Sequence, residues 1–375
     1  MVEIVKIDTG NKADVKRFIQ VNVSLYKGCP YWVPPLPGDQ EFYLDRRRNP
    51  FFEHSDADFF IAVKDGRDVG RIAVLENRRH NEHKHEHTAY WYFFDSIDDL
   101  EVSRALFQAA EDWARARGLN QMLGPKGFIP FDAFGVLIQG FDALPAMGGL
   151  YNYPYYDKLV TDMGYQRFVD ITSWYMDAET MDVSPRIYEL AEKVKKHRGI
   201  TIKTFRSKNE IRQMANAIMQ VYNDTFVNNW EYVPVTQSEM KAILDRMLPI
   251  VRPELIKLAM KGDEIIGFLF GFPNINEAIQ QIGGRLWPFG FIKLLRALKT
   301  TRRIDLNGMG ILPKHQGGGA NAVLYAEMAR TIKDNKFRFA ELVQVEAGNE
   351  KMQAEVKALG AILYKIHRVY TKRLD

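Results

Sequence analysis

The chain has 375 residues, 46% hydrophobic and 26% charged, a length and composition ordinary for two globular domains that each bury a core. Its formal charge of +4 is spread evenly, with Lys and Arg interspersed among Asp and Glu, which argues against a nucleic-acid-binding stripe. The single cysteine, Cys29, excludes an internal disulfide and suits a reducing cytoplasm.

Residues 2–7 alternate apolar and polar side chains and are predicted as a strand, not a secretion signal. No run of about 18 apolar residues occurs, so no membrane-spanning helix is expected. A charged amphipathic helix is predicted over 12–26. Residues 30–37, with four prolines, read as an extended segment held by its aromatics. Short apolar runs at 59–63 and 69–75 flank the turn dipeptide Asp65-Gly66 and form a predicted hairpin. A strand at 88–94, a helix at 101–117 closed by Gly118 and a short strand at 121–123 follow. Between two of these strands, His80, His83, His85 and His87 crowd a charged stretch. Their spacing matches no metal-ligand pattern, so a solvated loop and no metal are expected. A helix at 155–163 and a strand at 165–176 end the first half.

The second half repeats the order: strand 200–205, helices 208–227 and 238–248, strands 255–260 and 265–270, strand 303–311, helix 320–334, strand 339–345, helix 350–359 and strand 361–373. A period of about 180 residues is too long for a solenoid and indicates two copies of one domain. The boundary is expected at the polar stretch 177–184, before a helix at 185–197. Residues 283–303 place Trp287, Phe289, Phe291, Leu294, Leu295 and Leu298 among basic residues. The segment reads as a helix packed on its own domain, with an acceptor-pocket wall or a membrane contact as alternatives.

The strongest local signal joins strand 303–311 to helix 320–334. Gln316, Gly317, Gly318, Gly319, Ala320, Asn321 and Ala322 form a small-residue turn at a helix start. Glycines there let backbone N–H groups approach an anion, and the helix end adds partial positive charge. Neither a P-loop nor a dinucleotide fingerprint is present, since the Gly-Lys-Ser/Thr ending and the spaced glycines are both missing. The first-half counterpart, residues 96–101, is acidic and lacks glycine, so no phosphate site is expected there.

This loop resembles the coenzyme A loop of the GNAT superfamily of N-acetyltransferases, which reads Arg or Gln, two residues, Gly, one residue, then Gly or Ala. Gln316 and Gly319 match, and Asn321 departs from the final position. Asn349, before a helix ending at Gly360, matches an Asn that in the superfamily contacts the pantetheine arm. The chain is similar, more closely, to a bacterial family of tandem GNAT-like proteins of unsettled substrate. The similar stretches are 32–36, 49–54, 70–73, 123–125, 151–156 and 229–236.

The resemblance implies an α/β (α+β) fold of two tandem GNAT-like domains, each a mixed, mostly antiparallel sheet flanked by helices. Residues 1–176 would be a degenerate copy without a phosphate loop, and 177–375 the copy that binds acyl-CoA. The implied function is acyl-CoA-dependent N-acyl transfer, from acetyl-CoA or another acyl-CoA, directly to a small-molecule or peptide amine. A non-catalytic ligand- or partner-binding protein is the alternative. Transfer from an aminoacyl-tRNA would need a strongly basic face. The backbone of Met309 and Ile311, before the loop, would polarise the thioester oxygen. Asp305 on that strand and Glu341 on the next are the candidate proton acceptors. Where the superfamily commonly carries an acidic Tyr, this chain has Val356, and Tyr364 is the candidate substitute.

Overall fold

Among the residues described by this computed structural model, 1–180 and 183–374, thirteen strands form one mixed sheet. The first half supplies β1 (Val2–Lys6), β2 (Asp56–Lys64), β3 (Arg67–Glu76), β4 (Thr88–Ser96), β5 (Gln121–Gly124), β6 (Val136–Gln139) and β7 (Gln166–Asp177). The second supplies β8 (Ile200–Thr204), β9 (Ile256–Lys261), β10 (Glu264–Pro273), β11 (Arg303–Ile311), β12 (Phe339–Glu346) and β13 (Ile362–Arg373). In each half four antiparallel strands lead into one parallel pair, β4 with β5 and β11 with β12.

The last strand of each half then crosses to the other. β13 pairs with β5, Tyr370 opposite Gly124, and β7 pairs with β12, Tyr175 opposite Glu341. β7 and β13 pair with each other at the centre of the sheet.

Helices cover the sheet. The first half carries α1 (Lys12–Leu25), α2 (Asp39–Leu44), α3 (Arg78–Lys84), α4 (Leu100–Arg115) and α5 (Tyr156–Thr161). The second carries α6 (Pro185–Arg198), α7 (Lys208–Gln213), α8 (Ala215–Phe226), α9 (Gln237–Met247), α10 (Asn276–Gln281), α11 (Gly290–Thr300), α12 (Ala320–Asp334) and α13 (Glu350–Ala358). The single helix expected over 208–227 is broken at Met214, where a tight turn draws the amide N–H toward both Glu210 and Ile211 carbonyls.

The histidine segment is only partly the expected solvated loop: His83, His85 and His87 are exposed, but residues 78–84 form α3 and His80 on it is buried. Asn77 caps α3 by accepting from the His80 N–H at 3.0 Å. His80 is buried edge-on against Tyr90, and burial lowers its imidazole to about 2, so the ring is neutral.

Among the described residues one apolar cluster lies mainly in the first half and two in the second, and the larger of two others is shared between the halves. There Phe51, Phe59 and Phe128 pack with Val235, Met240 and Ile243 on and just before α9. His54 meets Glu239 across the same junction at 3.2 Å.

The two parallel pairs end differently. Beyond the β4–β5 ladder lies Trp91, fully buried against Phe94, Phe107 and Tyr165. A Cβ on Gly124 would lie 2.6 Å from the Trp91 carbonyl oxygen, so glycine is what admits this approach. The N-terminus of α4 is closed by Asp99, which accepts from the Glu101 N–H, and Lys64 bridges both carboxylates at 2.6 and 2.8 Å. The first-half split is thus filled and its helix end neutralised.

Candidate active site

In the second half the β11–β12 ladder ends at Leu306 opposite Leu342, and beyond it the facing edges no longer pair with each other. β11 stays bound to β10 as far as Ile311, and β12 stays bound to β7 as far as Glu346. The strands splay because each follows its outer neighbour. A cleft of about 260 Å³ opens between them, walled by Met309, Gln344, Tyr325, Asn349 and Met352.

Beyond β11, Gly319 precedes α12 with φ +81°, and no side chain caps the helix. A Cβ on Gly319 would lie 2.7 Å from Val194 of α6. The last turn of α6 carries Lys195, Lys196, His197 and Arg198, and an Arg198 nitrogen lies 3.4 Å from where a Gly318 Cβ would be. Uncapped N–H groups, room for close backbone approach and a nearby guanidinium suit a polyanion. The Gln316 side chain ties the turn internally by donating to the Ile311 carbonyl at 3.2 Å. Asn321 stands in the first turn of α12 between the buried Ala320 and Ala322. Asn349 lines the cleft and caps α13, accepting from the Met352 N–H at 3.0 Å.

Asp305, Glu341 and Tyr364 meet in one buried cluster. Asp305 and Glu341 are cross-strand partners, 3% and 9% exposed. Asp305 accepts from the Met147 N–H at 2.7 Å, and both its oxygens lie 3.1 Å from the Asn274 amide nitrogen. Lys365 stands 3.7 Å from Glu341, donates to the Tyr364 hydroxyl at 2.9 Å and reaches the Leu144 carbonyl. Tyr364 donates in turn to Glu341. One buried cation therefore faces two buried carboxyls. Burial, reinforced by the Glu341 charge, pushes the Asp305 carboxyl up to about 7. Burial raises Glu341 and lowers Lys365, each against the pull of the other. A carboxyl poised there can exchange a proton near neutral pH.

A second cavity, of about 530 Å³, lies between the halves. Trp32, Leu36, Ile243, Met247, Ile250 and Phe272 make it mainly apolar, and Arg71 and Arg246 add polar points. Asp305 lies on its wall. Asn307, two residues further along β11, lines both this cavity and the cleft, as do Ile129, Phe131 and Asp132, so the two share a wall. A small cavity between them is lined by Glu341 and Lys365.

No family model matches the sequence. Protein YghO of Escherichia coli (strain K12) is 31% identical over 372 residues, covering 97% of this chain and 94% of that protein. A bacterial ceramide synthase of Caulobacter vibrioides (strain NA1000 / CB15N) is 30% identical over 371 residues, 96% of this chain and 95% of that one. A solved tandem GNAT protein from the clavulanic acid biosynthesis pathway covers 100% of this chain and 99% of its own, with TM-score 0.57 at 13% identity. This chain belongs to the family of those two bacterial relatives, on a tandem GNAT fold.

Several residues around this candidate site escaped the sequence reading. Lys365 looks like one more polar residue in an alternating strand, and Asn274 like a turn residue. Arg198 lies at the end of a helix that the sequence places outside the loop. Tyr325, which lines the cleft and whose hydroxyl donates to Glu355 at 3.0 Å, sits on an apolar helix face where an aromatic reads as core. Val356 is core, fully buried. Tyr364 stays with the carboxylate cluster, away from the cleft wall. Met309 lines the cleft, whereas Ile311 ends β11 opposite Gly267.

Proposed function

We propose that this protein is an acyl-CoA-dependent N-acyltransferase whose acceptor is a long-chain amine. The observation that carries the reading is the junction at Asn307. The cleft between β11 and β12, with β11 leading on to an uncapped helix N-terminus, shares that residue with a mainly apolar cavity lined by the buried Asp305 carboxyl. By its name one relative synthesises ceramide, and a ceramide is the fatty amide of a long-chain amino alcohol. The apolar cavity here suits an acceptor of that class and exceeds what an acetyl group requires.

Backbone N–H groups from Gln316 to Asn321, with Arg198, would hold the phosphates. Met309, Asn349 and Met352 would flank the pantetheine arm. Bound acyl-CoA supplies an activated thioester. Asp305 accepts a proton from the acceptor nitrogen, which then forms the C–N bond as the C–S bond breaks. Tyr325 on the cleft wall would return a proton to the leaving thiolate. Glu341 and Lys365 set the charge beside Asp305, and the loop carrying Met147 holds its carboxylate in place.

The test pairs the purified protein with acyl-CoAs from acetyl to stearoyl and a long-chain amino alcohol, following free thiol and the amide by mass spectrometry. Acceptor-dependent thiol release is expected. If every acyl-CoA binds but none is turned over, the catalytic reading is wrong. Gly319→Asp should weaken acyl-CoA binding at least about 100-fold in calorimetry, through a strained φ, the Val194 contact and a negative charge at the helix end. Gly317→Ala, with open space around its Cβ, should cost less than about tenfold, mostly for its positive φ.

A further inference from the structure

The largest concentration of exposed apolar side chains lies far from the acyl-CoA loop. Among the described residues eleven large hydrophobic ones are exposed, and five of them fall within residues 287–295: Trp287 at 84%, Phe289 at 68%, Leu295 at 57%, Ile292 at 51% and Phe291 at 46%. Scattered exposed apolar residues are ordinary on a soluble surface, but a contiguous group is not. In α11 the sides are sharply sorted. Leu294 is buried, and Ala297 and Leu298 pack beside it toward α10 and the proline-rich segment. Phe291, Ile292 and Leu295 share the neighbouring arc and point to solvent. Arg296 and Lys293 follow on the arc beyond that, and Lys299 stands at the C-terminal end of the apolar arc itself.

The charge is equally one-sided. From residue 278 to 304 there are six Lys and Arg residues and no Asp or Glu. Arg302 and Arg303 are paired with Glu179 and Glu277. Arg285, Lys293, Arg296 and Lys299 are exposed and have no carboxylate partner among the described residues. No described helix is long and apolar enough to cross a membrane. An in-plane contact is what a short amphipathic helix of this kind makes, with aromatic side chains at the boundary and cations toward the headgroups.

We propose that α11 and the preceding 285–289 turn form a docking face for an anionic phospholipid bilayer. The face adjoins the wall of the apolar cavity. Gln280 of α10 donates to the Pro30 and Trp32 carbonyls at 2.8 and 2.9 Å, and Leu294 packs in one cluster with Val33, Leu36 and Ile250. Leu36, Ile250 and Ile279 also line the cavity. A long-chain acceptor leaving the bilayer at this face would enter there without crossing water. This delivery rests on the N-acyltransferase reading, whereas the docking itself does not.

The experiment is vesicle co-sedimentation of the full chain without acyl-CoA, so its result is independent of turnover. Vesicles of phosphatidylcholine with about a third phosphatidylglycerol should retain the protein at least about tenfold more strongly than pure phosphatidylcholine, and added salt should weaken the binding. Each of Lys293→Glu, Arg296→Glu and Lys299→Glu should reduce partitioning about fivefold or more. A Trp287→Ser, Phe289→Ser, Leu295→Ser variant should lose it altogether while keeping its melting temperature, since all three side chains are exposed. Equal binding to both vesicle types, no binding, or unchanged binding by the apolar variant would overturn the proposal. So would light scattering that shows a dimer which the same variant dissociates, because the face would then be covered by a second copy.

Discussion

Asp305→Asn is expected to lower turnover by about 10²–10⁴-fold, the usual contribution of a positioned proton acceptor. Acyl-CoA affinity should barely change, because Asp305 lines the inter-half cavity and lies off the cleft walls. The pH dependence separates this role from a structural one. A base works deprotonated, and the Asp305 carboxyl titrates near 7, so activity should be lost as pH falls through that value. The variant should lack this acidic limb. Glu341→Gln removes the like charge that helps hold the Asp305 carboxyl up, so the limb should move to lower pH in that variant. The measurement is kcat/KM against pH for the three proteins, with acyl-CoA affinity by calorimetry. Unchanged turnover of Asp305→Asn at every pH would leave its hydrogen bonds to Met147 and Asn274 as its whole purpose.

The second large effect concerns the halves themselves. A fragment covering residues 177–375 is expected to be insoluble or unfolded. β13 would lose β5 on one side and β7 on the other, and β12 would lose β7. Two central strands would become open edges, a known route to aggregation. The apolar cluster shared by Phe51, Phe128, Met240 and Ile243 would be cut as well. Residues 1–180 and 181–375 expressed together as separate chains should recover the fold, since the exchanged strands would then find their partners. Soluble yield and a cooperative thermal transition are the readouts. A monomeric 177–375 fragment that melts cooperatively and binds acyl-CoA would show that the exchange is dispensable.

The exchange also marks how far local pattern reaches. The β-branched and aromatic residues of 165–176 and 361–373 are enough to read both as strands, and glycines 118, 164 and 360 end their helices where expected. Alternation says nothing about which neighbour a strand takes, because either half offers a compatible edge. The histidine segment was half legible for a related reason: its charge matches the exposed His83, His85 and His87, while the Asn77 cap and the Tyr90 ring place His80 in a buried helix turn.

For the site, the sequence alone determined the glycine turn and its helix, Asp305 and Glu341 on adjacent strands, and the acidic, glycine-free counterpart in the first half. Those features depend on residues close in the chain, where backbone geometry and side-chain size act directly. Only the tertiary structure decided that Lys365 stands beside Glu341, that Met147 from the other half binds Asp305, and that Arg198 reaches the glycine turn. It also decided that Trp91 fills one split while the other stays open. The proton affinity of a buried carboxyl is set by charges and donors within a few ångströms, here contributed by segments up to 158 positions away in the chain. Such proximity is a property of the packed sheet, and no window of sequence contains it.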